Sequence, residues 1–383
     1  MKIVDVCAFY TPFGGGVRTY VEQKLRIGPR LGHEIVVIAP GERYDIIERG
    51  PDARIITLPS PRFPLDRKYG YFADEAALHE ELDDEAPDFV EVSSPWRSAA
   101  MVGRWRGTAP RSLVMHADPL SAYAYRWFGS FLSRERIDRH FARYWQHLRA
   151  LGSAFDLTVC ANADLAGRLQ EGGVSGVALH PLGVEAEVFS PERRDEKVRR
   201  KLLAECGLGP EAHLLVAAGR LAPEKRWPMV VEAAATASAQ VPVGLALFGE
   251  GRDRQAVLRA IGGNPHIRLY EPERDRRAFA SVLASADAVI HGCEGETFCM
   301  VAAEARASGT SVIVPDRGGA TDHARDNAGL TYASTNSFAA SQAILRFCRR
   351  PFGRPEGTQR THAEHFTALF GHYRAIAEFA HAA

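Results

Sequence analysis

Two glutamates stand eight positions apart in the stretch GETFCMVAAE, residues 295–304, with an aromatic residue, a cysteine and small apolar residues between them. We interpret the segment as a loop that turns into a buried helix, with Glu296 before the first helical turn and Glu304 roughly two turns in. Both carboxylates then face one pocket at the helix start, where free N–H groups and the helix dipole favour an anion. The alternative is a surface helix with two ordinary solvated glutamates.

A pair of basic residues follows another apolar run, in VAAGRLAPEK. Arg220 and Lys225 come just after Gly219, at the end of a predicted strand. A guanidinium can bind two oxygens of a diphosphate while an ammonium neutralises the rest. Either residue alone is more often a surface charge. Together with the helix start near Glu296, the two predict a diphosphate site.

Two glycine-rich loops also follow predicted strands. The glycines and the neighbouring arginine are Gly14, Gly15 and Gly16 in TPFGGGVRTY, and Gly249, Gly251 and Arg252 in LFGEGRDR. Glycines let a backbone approach a bulky anion and aim N–H groups at it, although a plain tight turn explains the first loop equally well. Neither loop continues into Lys-Ser/Thr or fits G-x-G-x-x-G, which disfavours an ATPase or a nicotinamide-dependent enzyme.

The sequence offers no obvious metal site. It contains no two aspartates separated by one residue, and its histidine and cysteine spacings fit no zinc cage. We therefore expect no metal and no cofactor, with the charge of a leaving diphosphate balanced by Arg220, Lys225 and backbone amides.

The two glutamates then fit the two ends of a nucleotide-sugar. Glu304 is expected to accept hydrogen bonds from the ribose hydroxyls, as acidic residues do in dinucleotide-binding folds. Glu296 is expected to accept hydrogen bonds from hydroxyls of the sugar. The part of the donor between the ribose and the sugar is expected to be held by the segment that joins the two glutamates: Thr297, Phe298, Cys299, Met300 and Val301.

The elements that must position these residues form two series. At 383 residues the chain predicts about two domains. Strand-like runs alternate with amphipathic helical stretches, which is typical of parallel sheets covered on both faces. The first series contains KIVDVCAF, HEIVVIAP, ARIITLP, DFVEVS, RSLVMHA and LTVCAN. The second contains HLLVAAG, VGLALFG, IRLYE, AVIHG and SVIVPD. The fold class predicted is α/β, with two doubly wound domains in tandem.

The predicted boundary between the two domains lies near HPLGVEAEVFSPERRDE, where the strand pattern stops and a charged helix follows at about residues 193–205. We predict an N-terminal domain over residues 1–185, a C-terminal nucleotide-sugar-binding domain over 186–360 and a last helix over 361–383. That helix carries a stripe typical of core packing: His362, Phe366, Leu369, Phe370, Tyr373, Ile376 and Phe379.

Bulk properties narrow the protein class. Lys plus Arg and Asp plus Glu are equal at 47 each, so global charge predicts no polyanionic partner. Six scattered cysteines fit isolated thiols in a reducing compartment. We read no signal peptide, and no window approaches the roughly 18 to 20 apolar residues that cross a bilayer. A cytoplasmic protein is expected.

With these residues in hand, nearly all of the chain resembles the retaining family 4 glycosyltransferases of the GT-B fold. The stretches that carry the resemblance are FGGGVRTYV, HPLGVEAEVFSP, GRLAPEKRW, LFGEGRD, and LASADAVIHGCEGETFCMVAAEARASGTSVIVPDRGGATD. The resemblance implies two Rossmann-like domains facing one cleft, with the closing helix crossing back to the first domain. It also implies that Arg220 and Lys225 bind the donor diphosphate, that Glu296 contacts the sugar and that Glu304 contacts the ribose.

One departure concerns the donor sugar. Many members of the family have Glu-Gly-Phe-Gly where this chain has Glu-Thr-Phe-Cys, residues 296–299. The Thr-Phe form looks like the branch of lipid mannosyltransferases and sulfoquinovosyl-diacylglycerol synthases. VMHAD similarly resembles a family element that places His116 near the donor sugar and Asp118 toward the acceptor, and we assign Tyr10 to the acceptor side. Alone, His116 would more often be a buried, hydrogen-bonded histidine.

A basic and aromatic region points to the acceptor. Residues 97–149 contain ten arginines against three acids, interleaved with Trp105, Tyr123, Tyr125, Trp127, Phe128, Phe131, Phe141, Tyr144 and Trp145. A second basic and aromatic loop lies at residues 61–72. Such a surface suits peripheral contact with an anionic membrane. The alternative is that the aromatics are core and the arginines solvated. No nucleic-acid recognition module is present in the sequence.

The sequence therefore predicts a hexosyltransferase that moves a hexose from a nucleotide diphosphate sugar, GDP-mannose or a UDP-hexose, to a hydroxyl of a membrane glycolipid or lipid headgroup. Retention of configuration is expected, with Arg220, Lys225, Glu296 and His116 as catalytic residues. Location on the inner face of the cell membrane would fit this acceptor. Alternatives are a soluble or polysaccharide acceptor, a GT-B epimerase or phosphorylase, and a non-enzymatic sugar-nucleotide-binding protein.

Overall fold

The computed structural model describes residues 1–11, 15–63, 69–129, 131–325, 329–350, 355, 357 and 359–382. The chain forms two compact units. The N-terminal unit comprises Met1–Pro119, Trp127–Leu182 and His362–Ala383, and the C-terminal unit comprises Leu120–Arg126 and Gly183–Thr361. The change of unit after Leu182 falls three residues before the predicted boundary at 185, and the short segment Leu120–Arg126 groups with the C-terminal unit.

The N-terminal unit is built on an eight-stranded sheet. Its strands are β1 (Lys2–Cys7), β2 (Glu34–Gly41), β3 (Asp45–Gly50), β4 (Ala53–Pro59), β5 (Phe89–Ser93), β6 (Arg111–Val114), β7 (Leu157–Cys160) and β8 (Val177–Leu179), in the order β3-β4-β2-β1-β5-β6-β7-β8. All neighbours are parallel except β3 and β4. Central strands such as β5 are buried on both faces, which explains their nearly continuous apolar runs.

Helices cover this sheet and connect its strands. In chain order they are α1 (Gly16–Ile27), α2 (Glu75–Glu85), α3 (Arg97–Arg104), α4 (Tyr125–Phe128), α5 (Arg134–His140), α6 (Ala142–Ala154) and α7 (Ala163–Glu171), with a 3₁₀ turn at Pro29–Leu31 and a π turn at Leu120–Ala124. Side chains cap several of their first turns. Asp74 accepts hydrogen bonds from the backbone N–H groups of Ala76 and Ala77, so α2 begins where the sequence offers a capping residue.

The C-terminal unit has a six-stranded parallel sheet. Its strands are β9 (His213–Ala218), β10 (Val243–Phe248), β11 (Ile267–Tyr270), β12 (Ala288–Ile290), β13 (Ser311–Pro315) and β14 (Gly329–Tyr332), in the order β11-β10-β9-β12-β13-β14. Its helices are α8 (Glu196–Glu205), α9 (Trp227–Ser238), α10 (Arg254–Ile261), α11 (Arg276–Ser285), α12 (Met300–Ala307), α13 (Gly319–Asp322) and α14 (Ser337–Arg349), with 3₁₀ turns at Pro191–Arg193 and Pro223–Lys225.

Strand order explains where a ligand can bind in the C-terminal unit. The chain runs outward from β9 through β10 to β11 and then returns to the other side of β9 with β12. A parallel sheet opens a crevice at such a switch point, outside the carboxyl ends of its strands. The loops after β10, β9, β12 and β13 therefore line one edge of the sheet, and three of the predicted motifs lie in them: VAAGRLAPEK, LFGEGRDR and GETFCMVAAE.

The last helix, α15 (His362–Ala382), belongs to the N-terminal unit, as the resemblance predicts. Phe366, Leu369, Phe370 and Tyr373 are buried in its core. The Tyr373 hydroxyl donates a hydrogen bond to Glu91 at 2.9 Å, and its ring stacks on Phe89 with centroids 4.0 Å apart. The prediction that the whole stripe is core is wrong for Phe379, which is 78% exposed. No helix among the described residues has both the length and the apolar character needed to span a membrane.

Candidate active site

Lys225 and Glu296 meet across the switch point of the C-terminal unit. Lys225 ends the 3₁₀ turn that follows β9, Glu296 lies in the loop that follows β12, and the Lys225 Nζ donates to Glu296 Oε1. Burial alone would raise the pKa of Glu296, but the Lys225 ammonium and a hydrogen bond from His291 outweigh it and hold that pKa well below its usual range. Burial would lower the pKa of Lys225, and Glu296 reverses this and raises it. Both groups are charged at neutral pH.

His291, which no sequence motif marked, is the second group on this carboxylate. Its Nε2–H donates to Glu296 Oε1 at 2.8 Å, and the imidazole is 1% exposed. The Tyr332 hydroxyl donates to the His291 carbonyl at 2.5 Å and fixes the backbone there. Lys225 and His291 therefore both bind Oε1 of Glu296. The other carboxylate oxygen, Oε2, is left to accept hydrogen bonds from a ligand.

A second ion pair ties the same two loops together. Arg226 follows Lys225 and has a left-handed backbone with φ of 52°. Its guanidinium binds the buried carboxylate of Glu294 through two hydrogen bonds, one of them 2.8 Å from Nε to Oε2. Bidentate Arg–carboxylate pairs fix geometry as well as charge. The loops after β9 and β12 are therefore joined at two consecutive positions on one side, Lys225 and Arg226.

The loop after β13 supports the Glu296 loop from beneath. The Gly319 N–H donates to the Glu296 carbonyl at 2.7 Å, and a Cβ at Gly319 would lie only 2.7 Å from the Phe298 backbone. Only glycine allows this approach. The His323 Nε2–H donates to the Phe298 carbonyl at 2.8 Å, and burial lowers the pKa of His323 to about 4. A neutral histidine and a glycine thus hold the loop from residue 296 to 298.

The structure does not bring Arg220 into this cluster. Its side chain is 66% exposed and its guanidinium donates to Glu224 at 2.9 Å. Only its backbone is fixed, because the Trp227 indole N–H donates to the Arg220 carbonyl at 2.9 Å. The role of Arg220 as a diphosphate ligand stays a prediction.

The predicted glycines have different surroundings. A Cβ at Gly249 would lie 2.2 Å from the Gly219 carbonyl oxygen, so glycine is required where the loops after β9 and β10 touch. Gly251 and Arg252 follow on the exposed surface. In the N-terminal unit, Gly15 caps α1 and Gly16 is its first residue, with open space around both Cβ positions. Gly14 lies outside the described residues.

The segment Thr-Phe-Cys leads into α12. Cys299 is buried and has φ of 70°, a left-handed conformation that favours glycine. Burial raises the pKa of its thiol well above the usual value. Phe298 is also buried, whereas Thr297, Met300 and Val301 are partly exposed.

Glu304 lies closer to the helix start than predicted, and it has a partner that no sequence motif marked. It is the fifth residue of α12, a little over one turn in rather than two. Its Oε1 lies 2.9 Å from Arg276 Nη1. Burial raises the pKa of Glu304 to about 7, and Arg276 opposes that rise. Arg276 also binds Glu185 at 2.9 Å.

The N-terminal unit places His116 above a buried charge cluster. The imidazole follows β6 and packs edge-on against Tyr20, with centroids 4.5 Å apart. Burial lowers the pKa of His116 to about 4, and the Lys24 ammonium adds to this. Lys24 is fully buried between Asp5 at 2.6 Å and Glu91 at 2.5 Å. His116 is therefore neutral at neutral pH.

The two acceptor-side residues each have a partner inside the N-terminal unit. Arg168 donates to the nearly buried carboxylate of Asp118. The Tyr10 hydroxyl donates to Glu22 at 2.7 Å, and burial followed by this contact raises the pKa of Tyr10 to about 12. Neither arrangement tests their assignment to the acceptor, which stays a prediction.

The basic and aromatic region divides into core and surface. Trp105, Tyr125 and Trp145 are buried, so their part in a membrane surface is wrong. Phe131 is 85% exposed, and Trp127 is 55% exposed. The other exposed aromatics of the region are Tyr123 and Phe128, and its exposed arginines are Arg97, Arg104, Arg106, Arg136, Arg139, Arg143 and Arg149.

Within the described part of the chain, one group of three donors is close enough to hold a metal ion: His291, Glu296 and Cys299, whose ligand atoms lie within 4.8 Å of one another. The Lys225 ammonium binds the same carboxylate and already supplies a positive charge there. The absence of a metal from the reaction stays a prediction.

Each unit is built on a mainly parallel sheet, as in glycosyltransferases of the GT-B fold, and the ion pair lies at the switch point of the second unit. Comparison with known proteins agrees. The family model "Glycosyl transferases group 1" matches residues 199–361, and "Glycosyl transferase 4-like domain" matches residues 15–143. Sucrose-phosphate synthase from Thermosynechococcus elongatus has a similar fold, with a TM-score of 0.71 at 20% identity over 98% of this chain and 96% of that one.

Curated relatives match most of the chain. The GDP-mannose-dependent alpha-(1-6)-phosphatidylinositol dimannoside mannosyltransferase of Mycobacterium tuberculosis is 30% identical over 96% of this chain and 93% of its own length. The sulfoquinovosyl transferase of Arabidopsis thaliana is 24% identical over 82% of this chain and 59% of its own. The protein belongs to the group 1 glycosyltransferases and is a hexosyltransferase, which confirms the predicted family, branch and fold class.

Proposed function

We propose that the protein transfers mannose from GDP-mannose to a hydroxyl of a membrane glycolipid, with retention of configuration and without a metal. The observation that carries this proposal is the cluster of Lys225, His291 and Glu296 at the switch point, in a chain whose 30% identical relative is named a GDP-mannose-dependent phosphatidylinositol dimannoside mannosyltransferase. A UDP-hexose donor and a soluble or polysaccharide acceptor are the alternatives.

Different residues of the C-terminal unit bind different parts of the donor. Lys225, with its fixed positive charge, stabilises the diphosphate as it departs, aided by Arg220 and by backbone N–H groups at the start of α12. Glu296 accepts hydrogen bonds from sugar hydroxyls through the oxygen that Lys225 and His291 leave open. Glu304 accepts hydrogen bonds from the ribose hydroxyls.

The N-terminal unit contributes His116 and the residues proposed to contact the acceptor. His116, neutral at neutral pH, orients the donor sugar as a hydrogen-bonding group rather than as a cation. Asp118 and Tyr10 lie on the acceptor side. The exposed aromatics Trp127, Phe128 and Phe131, together with nearby arginines, support a peripheral contact with an anionic membrane. The location that we propose is the inner face of the cell membrane.

A donor screen tests the proposal first. Thermal shifts are measured with GDP, UDP, ADP and their common sugars, with and without EDTA, because a ligand at about 100 times its Kd adds roughly 2.7 kcal/mol to stability. We expect GDP and GDP-mannose each to stabilise the protein, and by the same amount with EDTA as without it. If UDP compounds alone shift the melting curve, the donor assignment is wrong, and a loss of the shift in EDTA contradicts the metal-free site.

The acceptor is tested with the donor so identified. Radiolabelled GDP-mannose is incubated with phosphatidylinositol mannosides in vesicles, and in parallel with soluble mannosides. Label is expected in the lipid fraction. Transfer to the soluble sugar alone contradicts the lipid acceptor, and conversion of the nucleotide-sugar without any acceptor indicates an epimerase.

A further inference from the structure

Arg276, the first residue of α11, lies between two carboxylates of the C-terminal unit. Its Nη1 is 2.9 Å from Glu304 Oε1, and its Nη2 and Nε are 2.9 Å and 3.2 Å from Glu185 Oε2. The guanidinium carbon lies 4.7 Å from the centre of the Phe189 ring. Three contacts therefore fix the side chain in one position, although 44% of it is exposed.

The two carboxylates differ in how much they need this arginine. The Glu304 side chain is 6% exposed and projects from a helix whose neighbouring residues are mostly buried alanines, whereas the Glu185 side chain is 18% exposed. A buried carboxylate stays ionised only if a nearby opposite charge offsets its lost hydration. Arg276 is the cation that acts on Glu304, and Glu185 is a like charge that opposes it.

The charge of Glu304 decides how it can bind vicinal hydroxyls. A carboxylate accepts hydrogen bonds at two oxygens, and such charge-assisted bonds are about twice as strong as neutral ones. A protonated carboxyl uses one oxygen as a donor and accepts less strongly at the other. Burial raises the pKa of Glu304 to about 7 even with Arg276 in place, so at neutral pH a small change in its surroundings changes its ionised fraction.

We propose that Arg276 is a positioning residue for the donor ribose: it favours the ionised form of Glu304 and holds one of its oxygens, so that the carboxylate accepts the ribose hydroxyls. This inference rests on the proposed function, in which Glu304 contacts the ribose. Arg276 acts through Glu304 and need not touch the donor itself.

The test measures kcat and the donor KM for wild type, Arg276→Gln, Arg276→Lys and Glu185→Gln over a range of pH, with GDP-mannose and with its 2′-deoxyribose analogue. With GDP-mannose, we expect Arg276→Gln to raise KM about tenfold near pH 7, equivalent to about 1.4 kcal/mol. The rise should shrink as the pH increases, because Glu304 then ionises without help. The kcat should stay near that of wild type.

The other variants separate charge from structure. Arg276→Lys keeps the positive charge and should restore most of the lost affinity. Glu185→Gln removes the opposing charge and should leave KM unchanged or lower it. With the 2′-deoxy donor, Arg276→Gln should change KM less, since one of the two hydroxyls is absent. Melting curves of each variant establish that it is folded.

Several results would overturn the inference. A KM raised by the same factor at every pH, or equally for both donors, shows that Arg276 contacts another part of the donor or only stabilises the fold. Failure of the proposed function looks different, because wild type itself then shows no turnover of nucleotide-sugar and Glu304→Gln does not alter nucleotide binding. That outcome overturns both proposals.

Discussion

Lys225 has two tasks at the scale of single residues, since it compensates the charge of Glu296 and is proposed to stabilise the departing diphosphate. Lys225→Ala leaves a carboxylate without its ammonium and removes a charge from the transition state. We expect kcat to fall at least about tenfold, which corresponds to about 1.4 kcal/mol. Steady-state kinetics with the identified donor measures this. The control is Lys201→Ala, which changes a lysine of the same unit that is 74% exposed, and which should have wild-type turnover. Equal rates for both variants would remove Lys225 from the active site.

Glu304 should impose a pH dependence on stability. Its folded-state pKa is raised from 4.5 to about 7 by burial, so the folded chain binds more protons than the unfolded chain between these values. The group is therefore stabilising below about pH 4.5, and that contribution is lost as the pH rises through about 7, a difference of about 3 kcal/mol.

The variant Glu304→Gln lacks this titration. Its free energy of unfolding minus that of wild type should therefore rise by about 3 kcal/mol between pH 4 and pH 8. Urea denaturation at several pH values measures the difference, and Glu250→Gln, at a side chain that is 60% exposed, should show little change with pH. A difference that stays constant for Glu304→Gln would show that burial does not perturb this carboxyl.

The sequence predicted the members of this site better than their contacts. Lys225 and Glu296 each lie in the loop that follows a strand, and the motifs in those loops mark them as candidates. Their ion pair spans 71 positions and depends on β12 lying beside β9, which no local pattern specifies. His291 and Arg276 were missed because one is a lone histidine after a strand and the other lies in the charged run EPERDRR, where its type gives no signal.

At the scale of elements, α15 contributes one buried hydroxyl to the core of the N-terminal unit. The Tyr373 O–H donates to Glu91 inside the cluster that also contains Lys24, while the Tyr373 ring stacks on Phe89. Tyr373→Phe keeps the stacking and removes a donor to a buried carboxylate, so it should lower the free energy of unfolding by about 1 to 3 kcal/mol.

Chemical denaturation measures this loss, and the same helix provides its control. Phe379→Ala changes an aromatic residue that is 78% exposed and should shift stability by no more than about 0.5 kcal/mol. If Tyr373→Phe is as stable as wild type, the Glu91 contact contributes nothing to docking of the helix.

Predictability also varied among the strands. Long apolar runs such as those of β1, β2 and β10 were predicted because both faces of a central parallel strand are buried. The strands β3, β8 and β14 were missed, and each lies at an edge of its sheet. β3 reads DIIERG and is mostly exposed, while β8 has only three residues, so neither carries the apolar signal of a central strand.

At the scale of the whole molecule, the proposed glycolipid acceptor requires the enzyme to reach a membrane surface. The described residues contain no membrane-spanning helix, so contact would rest on surface residues. Phe131 is 85% exposed, and the exposed arginines Arg136, Arg139 and Arg143 follow it within a few turns of chain. Exposed aromatics insert at the level of lipid headgroups, and each arginine near an anionic surface contributes about 1 kcal/mol.

We therefore expect the protein to sediment with vesicles that contain phosphatidylserine and not with vesicles of phosphatidylcholine alone. Binding should weaken as salt rises from about 0.15 M to about 1 M, because the screening length falls from about 8 Å to about 3 Å. Phe131→Ser should reduce binding several-fold, and replacing the three arginines with glutamine should weaken its salt dependence. The matched control is Phe338→Ser, which removes an aromatic that is 68% exposed on the C-terminal unit. Equal loss from both serine variants would mean that aromatic exposure alone governs binding and that the arginine-rich region has no special role. A loss confined to Phe131→Ser would place the membrane contact on the N-terminal unit, which also carries the proposed acceptor residues.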